Sequence, residues 1–387
     1  FQRYSRKALF MNIKERNQDK WLLWTVVLLV IFGLSILFSA SWIKSLEITE
    51  GASRIYFLQN QLFKFIPGII VFFIASHFNY RRLQYLAPVL MVGSFLLLVY
   101  TRVQGCDGDS CRWLSIGPIS FQTSDLARFS VILFLADYID RNYKYMHQFV
   151  KGILIPLCWI LPICAMIIMQ PDNSTTIILL TIVFALLFIG GVSLPQIGTI
   201  GVLSVGAIGI FILNSKNYAL SRILSFLDPS TAGNVGYQSS QALIGLRQGG
   251  ISGMGIGESI QKHSYLPETH TDFIFAIIGE ELGFIVGVMV MLAYIVILFR
   301  AIQISKKSND IFGIILSIGF GLSITFYALI NIGVVIGIIP VTGVPLPFIS
   351  YGGSSLIINL LMIAILLNIS KAQRKFKVKK WRLRVDG

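Results

Sequence analysis

Charged residues are scarce in this sequence: they make up 13% of its 387 residues, whereas 55% are hydrophobic. A soluble domain of ordinary composition carries about 25% charged residues. This deficit favours an integral membrane protein, and about ten spans with their loops would leave no room in the chain for a separate soluble domain. Histidine is also scarce, and His263 and His270 are too few and too far apart in the sequence to predict a metal site.

Long apolar runs take the place of the missing charge. A membrane-spanning helix needs about 20 mostly apolar residues, and these runs do not alternate as the strands of a membrane barrel would. We therefore predict an all-α fold, a polytopic integral membrane protein of about ten transmembrane helices. The predicted spans are 21–43, 61–78, 85–102, 122–139, 152–169, 175–191, 197–214, 273–299, 311–336 and 349–370.

The net charge of +14 is concentrated at the two ends of the chain, with six basic residues in 1–20 and eight in 371–387. Basic segments that flank spans are retained in the cytoplasm. This predicts basic cytoplasmic tails at 1–20 and 371–387 around a transmembrane domain at 21–370, in the cytoplasmic (inner) membrane. Topology accounts for the charge, so no nucleic-acid partner is expected.

This topology predicts one large extracytoplasmic loop, about 215–272, between helices 7 and 8. Loops of this length are usually functional or disordered. In the outer 103–121 loop, Cys106 and Cys111 are compatible with either a disulfide or two free thiols. The first apolar run is too long for a signal-peptide core. Met11 is a candidate natural start, which would make residues 1–10 an upstream segment.

Ionisable side chains within spans are costly, which makes them functional candidates. Lys64 lies near the outer end of the second predicted span. Asp125 and Arg128 are three residues apart at the outer end of the fourth, on one helix face. Asp172 lies in the turn between spans five and six, and Asp272 opens the eighth.

Each candidate also has a structural interpretation: an ion pair in the fourth span, turn chemistry at Asp172 and a helix cap at Asp272. Glu280 and Glu281 could pair with Lys64 or Arg128, and the proline-rich run at 340–347 could be a re-entrant turn. Together, however, these cations and carboxylates lie at one predicted membrane level. This grouping suits an amphiphilic anionic substrate whose phosphates bind the cations while a carboxylate accepts a proton.

Four long motifs contain most of these residues: RWLSIGPISFQTSDLAR at 112–128, QPD at 170–172, LPETHTDFIFAIIGEELG at 266–283 and PVTGVPLPFISYGGSS at 340–355. Through them the chain resembles the SEDS family (shape, elongation, division and sporulation) of peptidoglycan glycosyltransferases, over residues 20–370. The segments at 236–241 and 261–267 are more similar to the division branch of that family than to its elongation branch.

The resemblance implies polymerisation of lipid II for septal wall synthesis, with a class B penicillin-binding protein and other divisome membrane proteins as partners. It places the essential aspartate of the family at Asp272. Relatives usually have Glu and Lys at Asp125 and Arg128, and many have a basic residue at Asn60, a charge that Lys64 could supply. The substrate-binding residues expected are Lys64, Arg112, Trp113, Gln122, Ser124, Asp125, Arg128, Asp172, Glu268, His270, Ser350 and Gly352.

One inverting displacement would convert α-linked lipid II into a β-1,4 glycan. Asp272 would deprotonate the attacking GlcNAc 4-hydroxyl, while Lys64 and Arg128 stabilise the departing pyrophosphate, with or without a divalent cation such as Mg²⁺ or Mn²⁺. Two other functions stay open on the residues alone. One is a lipid II flippase, and the other is a non-enzymatic divisome scaffold docked through the basic tails.

Overall fold

The computed structural model describes residues 18–104, 112–116, 119–214, 226, 233–263 and 266–372, and these residues form a bundle of long helices. Each predicted span coincides with one of them. The helices are α1 (Lys20–Ile48), α2 (Tyr56–His77), α3 (Leu83–Gln104), α4 (Thr123–Asn142), α5 (Ile155–Met169), α6 (Asn173–Ile189), α7 (Leu194–Asn214), α8 (Gly233–Gly249), α9 (Ile274–Lys307), α10 (Ile311–Val335) and α11 (Gly353–Lys371).

Seven of the described helices are long and apolar enough to cross a membrane: α1, α2, α3, α5, α9, α10 and α11. The predicted class, a helical polytopic membrane protein, is thereby supported. The total of about ten spans stays a prediction, because α4, α6 and α7 are not among the seven. Helix α6 has only 17 residues, and α4 carries ionisable residues such as Asp125, Arg128 and Asp137.

The interior of the bundle is formed by α4, α10 and α11. Most of α11 and α10 is buried, and α4 packs against both of them as well as against α3. Helices α2 and α3 are peripheral, and large apolar side chains such as Phe63, Phe73 and Val89 are exposed on them. In a membrane protein this pattern is expected of surfaces that contact lipid. Of the charged residues of α4, Asp125, Arg128 and Asp137 are buried within the protein and not exposed to hydrocarbon.

Two elements depart from the predicted all-helical pattern. A β-hairpin pairs β1 (Trp113–Ile116) with β2 (Ile119–Gln122) directly before α4. Within the large predicted loop, α8 packs against α9 and α10, so that loop is not structureless. The expected basic tails lie largely outside the described residues, as do Cys106 and Cys111 with the disulfide question.

Helix α9 is interrupted at Gly283, whose φ of 79° lies in the left-handed region that favours glycine. The interruption releases two carbonyls and two amides from the normal helical ladder. The backbone amides of Met254 and Gly255 donate to the carbonyls of Glu280 and Glu281 at 3.0 Å each. In return, the amides of residues 284 and 285 donate to the carbonyls of residues 250 and 251, at 2.9 and 3.4 Å. The glycine-rich run at 249–257 thus completes the helix instead of acting as a flexible turn.

The side chains of Glu280 and Glu281 are bound by the same loop. Glu280 accepts from Ser259 Oγ at 2.5 Å and from the amide of Ile260 at 2.8 Å. Glu281 forms an ion pair with Lys262 at 2.9 Å in which both side chains are fully buried. The predicted pairing of these glutamates with Lys64 or Arg128 is wrong, because the nearest cation comes from the folded-back loop, which sequence spacing does not reveal.

Ser39 of α1 completes this arrangement. Its hydroxyl contacts both carboxylate oxygens of Glu281, at 2.8 and 2.7 Å. A further acceptor for the Lys262 ammonium is the carbonyl of Gly257. The buried charges are therefore paired and hydrogen-bonded, as low-dielectric surroundings require. The contacts join α1, α9 and the 250–262 loop.

Lys262→Met is expected to destabilise the protein, because it leaves the Glu281 carboxylate buried without a cation. Removing one partner of a buried pair typically costs about 3–5 kcal/mol. The measurement is thermal unfolding of the purified protein in detergent, where the midpoint should fall. Replacing both partners with Met should recover much of the loss.

The matched control is Lys44→Met, since the Lys44–Glu268 pair is 4.0 Å long and its side chains are 39% and 49% exposed. Exposed pairs contribute about 0–1 kcal/mol. An equal fall of the unfolding midpoint in both single variants would contradict the structural role of the buried pair.

Candidate functional site

Asp272 lies two residues before α9 begins and is half-buried. The N-cap position of α9 is Phe273, so Asp272 is not the helix-cap residue. Its segment is held through main-chain carbonyls. Asn331 Nδ2 donates to the Asp272 carbonyl at 2.7 Å, and Ser350 Oγ donates to the Thr271 carbonyl at 2.5 Å.

Lys64 is joined to this segment through Tyr351. The Tyr351 amide donates to the His270 carbonyl at 2.9 Å, while its hydroxyl accepts from Lys64 Nζ at 2.8 Å. The ring of Phe57 contacts both His270 and Tyr351, with centroids 4.4 and 5.3 Å apart. The predicted cation and the predicted base are therefore carried by segments that contact each other. The lysine remains half-buried and reachable.

His270 is 4% exposed, and its Nδ1 has no hydrogen-bond partner among the described residues. Burial and, to a smaller extent, the positive charge of Lys44 lower the pKa of His270 to about 4, against an opposing effect of Glu268. The imidazole is therefore neutral at pH 7. Glu268 itself is exposed, accepts from Thr271 Oγ1 at 2.7 Å and lies 4.0 Å from Lys44.

Arg128 is fully buried, unlike Lys64. Its Nη2 lies 3.3 Å from Asp125 and 3.2 Å from Asn359 Oδ1, and its guanidinium carbon is 3.9 Å from the centroid of the Tyr327 ring. Nε and Nη1 have no hydrogen-bond partner within the described parts of the chain. The predicted pairing of Asp125 with Arg128 is present, and in this conformation the guanidinium has no access to bulk solvent.

Asp172 is the N-cap of α6, because its carboxylate accepts from the Thr175 amide at 3.3 Å. It also lies within 3.5 Å of Gln122 Nε2 and 3.4 Å of Ser124 Oγ. The turn interpretation is therefore supported, with additional contacts to α4 and the hairpin.

Arg112 binds the carbonyls of the same turn. Its Nε donates to the Gln170 carbonyl at 3.2 Å, and its Nη2 contacts the carbonyl of Pro171. Trp113 pairs with Gln122 across the hairpin and leaves 46% of its surface exposed. Arg112 therefore stabilises the turn at 170–172, whereas Trp113 is exposed at the surface.

The first turn of α11 contacts both Lys64 and the Asp125–Arg128 pair. Gly352 donates its amide to Gln61 Oε1 at 3.2 Å, and the Lys64 side chain lies against Gly353, where an added Cβ would come within 2.9 Å of it. Ser354 Oγ donates to Asp125 at 3.1 Å. Lys64 and the Asp125–Arg128 pair therefore contact adjacent residues of one helix terminus.

The described residues do not form a cluster of side chains that could hold a divalent cation by themselves. No group of three or more His, Cys, Asp or Glu side chains that could hold a metal ion occurs in the described ranges. Mg²⁺ can be held by one or two carboxylates together with substrate phosphates. A divalent cation at this site therefore stays a prediction.

Several residues of this network are absent from the sequence-based prediction: Tyr351, Asn331, Asn359 and Lys262. The amide at position 331 within the largely apolar helix α10 was a signal of a functional or structural contact, because polar groups within spans need partners. Tyr351 and Asn359 lie inside or near a recognised motif, but their partners are remote in sequence.

A known protein family matches nearly the whole chain. The family model described as cell cycle protein, which covers FtsW, RodA and SpoVE, matches residues 20–375. The chain belongs to this family. The match covers all eleven helices and every predicted site residue.

Relatives of this family member are similar over nearly its full length. Stage V sporulation protein E of Bacillus subtilis is 34% identical over 94% of this chain and 100% of its own. A probable peptidoglycan glycosyltransferase FtsW from the same organism is 36% identical over 92% of this chain and 91% of its own. A chain in a solved peptidoglycan synthase complex, which coordinates polymerization and crosslinking, superposes with a TM-score of 0.71 and 26% identity, covering 91% of this chain and 97% of that one.

The burial of His270 predicts a specific loss of stability in acid. Its folded pKa of about 4 lies below the ordinary value of about 6.5, so the unfolded chain binds the proton first as pH falls. The contribution is complete above pH of about 6.5 and declines toward pH 4, by up to about 3 kcal/mol.

Thermal unfolding between pH 7.5 and pH 5 would measure this loss. We expect the midpoint of the natural protein to fall more steeply with acidification than that of His270→Gln, in which position 270 no longer titrates. Parallel pH profiles for the two proteins would contradict the buried neutral imidazole.

Proposed function

We propose that this chain is a peptidoglycan glycosyltransferase that polymerises lipid II into β-1,4 glycan strands. The single observation that carries the proposal is the joining of the Asp272 segment to Lys64 through Tyr351. Family membership and the names of the FtsW relatives support the reaction class. A carboxylate and a cation on contacting segments suit a displacement that needs a base at one end and charge stabilisation at the other.

Asp272 is the general base in this proposal. It would take the proton from the 4-hydroxyl of the GlcNAc of one lipid II, and the resulting oxygen would attack C1 of the MurNAc of the other. The C1–O bond to pyrophosphate breaks as the new bond forms, so the configuration inverts once. The partial exposure of Asp272 supports this role, because a base must reach the hydroxyl it deprotonates.

Lys64 and the start of α11 would bind the leaving pyrophosphate. The amides at a helix N-terminus attract anions, and the Lys64 side chain crosses that terminus at Gly353. Lys64 Nζ is held by the Tyr351 hydroxyl and is half-buried, so it is available for a phosphate. A divalent cation would also stabilise the leaving pyrophosphate only if the phosphates themselves completed its ligand set.

Arg128 would act through this helix terminus. Full burial and the contacts with Asp125 and Asn359 support a role in holding α11, since Asp125 in turn accepts from Ser354. Direct contact between the guanidinium and pyrophosphate would require this part of the bundle to open. The structural interpretation of the pair and a supporting role in substrate binding are thus compatible.

The proposed setting is the cytoplasmic membrane, with both termini in the cytoplasm and the Asp272 segment at the outer face. The proposed substrate is lipid II, and the proposed partner is a class B penicillin-binding protein among other divisome proteins. The similar chain in a synthase complex supports a crosslinking partner. Septal synthesis is favoured by the FtsW relatives and by the residues at 236–241 and 261–267.

A reconstitution with lipid II separates this proposal from its rivals. Purified protein, with and without the penicillin-binding protein, would be placed in vesicles, and both glycan length and the leaflet distribution of lipid II would be measured. Polymer without translocation is expected. Translocation without polymer would indicate a flippase, and neither would indicate a scaffold.

Asp272→Asn is expected to abolish most polymerisation while leaving the fold intact, because the amide has nearly the same shape but cannot accept the proton. A positioned base contributes roughly 10²–10⁴-fold. The readout is the initial rate of glycan formation from lipid II.

Asp140→Asn is a suitable control, since Asp140 accepts from Gln84 at 2.8 Å near the other end of α4. This control variant should polymerise normally. A natural rate for Asp272→Asn would remove the proposed base.

Arg128→Ala is expected to lower both stability and polymerisation, because it leaves Asp125 buried without its cation. The stability loss should be about 3–5 kcal/mol, measured as a lower unfolding midpoint. The double variant Asp125→Ala with Arg128→Ala should recover stability but not activity. Normal polymerisation by Arg128→Ala would show that the pair has no part in binding the substrate.

A further inference from the structure

Asn331 lies in the middle of α10, is 1% exposed and is remote in sequence from every motif residue except those of the 340–355 run. Both hydrogens of its amide nitrogen are used. Nδ2 donates to the carbonyl of Asp272 at 2.7 Å and to the carbonyl of Val344 at 2.8 Å. The orientation of the amide is dictated by chemistry, because the reversed amide would place an oxygen against two carbonyl oxygens.

The segment that Asn331 holds has little regular structure of its own. Between α8 and α9 the chain turns at Glu268, whose φ is 59°, and the amides of residues 271 and 273 both donate to the Glu268 carbonyl at 3.2 Å. The carbonyls of residues 270–272 point away from this turn to other elements. The local turn therefore holds amides on both sides of residue 272, while donors from other elements hold the carbonyls of residues 270–272.

These donors come from two parts of the chain. Tyr351 and Ser350 hold the carbonyls of residues 270 and 271 from the segment before α11. Asn331 holds the carbonyl of Asp272 itself, which is separated from the Asp272 Cα by one bond, and it does so from a helix of the bundle interior. The same amide also donates to the carbonyl of Val344, and this bond connects the segment before α11 to α10. A rigid donor so close to the Cα limits how far the carboxylate can move.

We infer that Asn331 is a positioning residue for the reaction, which sets the location of the Asp272 carboxylate relative to the bound sugar hydroxyl. The inference rests on the proposed function, in which Asp272 is the base. General-base catalysis needs the base within hydrogen-bond reach of the proton, and a displacement of about 1 Å can cost about 10²-fold in rate. Asn331 touches no substrate in this role.

Asn331→Leu removes both donors and keeps the branched skeleton of four heavy side-chain atoms. We expect kcat for lipid II polymerisation to fall by about 10²-fold, with KM changed only a few-fold, because substrate contacts are retained. Asn331→Gln keeps the donor amide one methylene away and should recover part of kcat. Asn331→Asp keeps the shape but, when ionised, has no donor, so it should resemble Asn331→Leu.

The matched control is Asn368→Leu in α11. Asn368 Nδ2 also donates to a backbone carbonyl, that of Ser76, at 2.9 Å, and its Oδ1 accepts from the Tyr80 amide at 3.3 Å. These contacts lie at the junction of α2 and α3, at the opposite end of α11 from Gly353. The unfolding midpoint of this variant should fall about as far as that of Asn331→Leu, while kcat per folded molecule stays at the natural value.

A double variant distinguishes positioning from a general loss of structure. If Asn331 acts through Asp272, then Asn331→Leu should add almost nothing to the defect of Asp272→Asn, because the base it positions is gone. Independent structural damage would lower the residual rate further. A natural kcat for Asn331→Leu, a raised KM with unchanged kcat, an additive double variant, or Asn331→Gln below Asn331→Leu would each overturn the inference.

The outcome for the proposed function is read separately. Loss of polymerisation in Asp272→Asn together with natural kcat in Asn331→Leu would reject only the positioning role. Absence of polymerisation by the natural protein with its partner, or full activity of Asp272→Asn, would reject the proposed function itself.

Discussion

Backbone hydrogen bonding within a membrane protein is the constraint on which this structure depends. Polar backbone groups shielded from water must find partners inside the protein, and α9 breaks its own ladder at Gly283. The loop at 250–255 supplies both the missing donors and the missing acceptors. Because the same loop binds Glu280 and Glu281, the interruption of α9 and the folding of the loop require each other.

This exchange has a consequence for the segment that follows the loop. Residues 266–273 connect the anchored loop to the start of α9, so both ends of the Asp272 segment are fastened to one helix. The middle of the segment is fixed by the donors from α10 and from the residues before α11. A half-exposed carboxylate is thus held by buried neighbours, which is the arrangement expected of a preorganised site.

The two predicted cations, Arg128 and Lys64, differ in burial and therefore have different roles. Arg128 is enclosed between α4, α10 and α11, where its contacts stabilise the packing of three interior helices. Lys64 comes from the peripheral helix α2 and reaches the start of α11 with its ammonium group half-buried. A sequence shows both residues equally as charges within apolar runs. The cost of desolvation makes the half-buried lysine a better ligand for a phosphate than the fully buried arginine.

The sequence by itself determined the class of the protein and the main helices, because hydrophobic length and the placement of basic residues are local properties. It also singled out Asp272, Lys64 and the Asp125–Arg128 pair, since charges within apolar runs are visible without a structure. The partners of Glu280 and Glu281 and the anchoring of Asp272 by Asn331 were decided only by tertiary structure. These contacts join residues from different helices and from a folded-back loop, and one-dimensional spacing carries no information about which buried donor meets which acceptor.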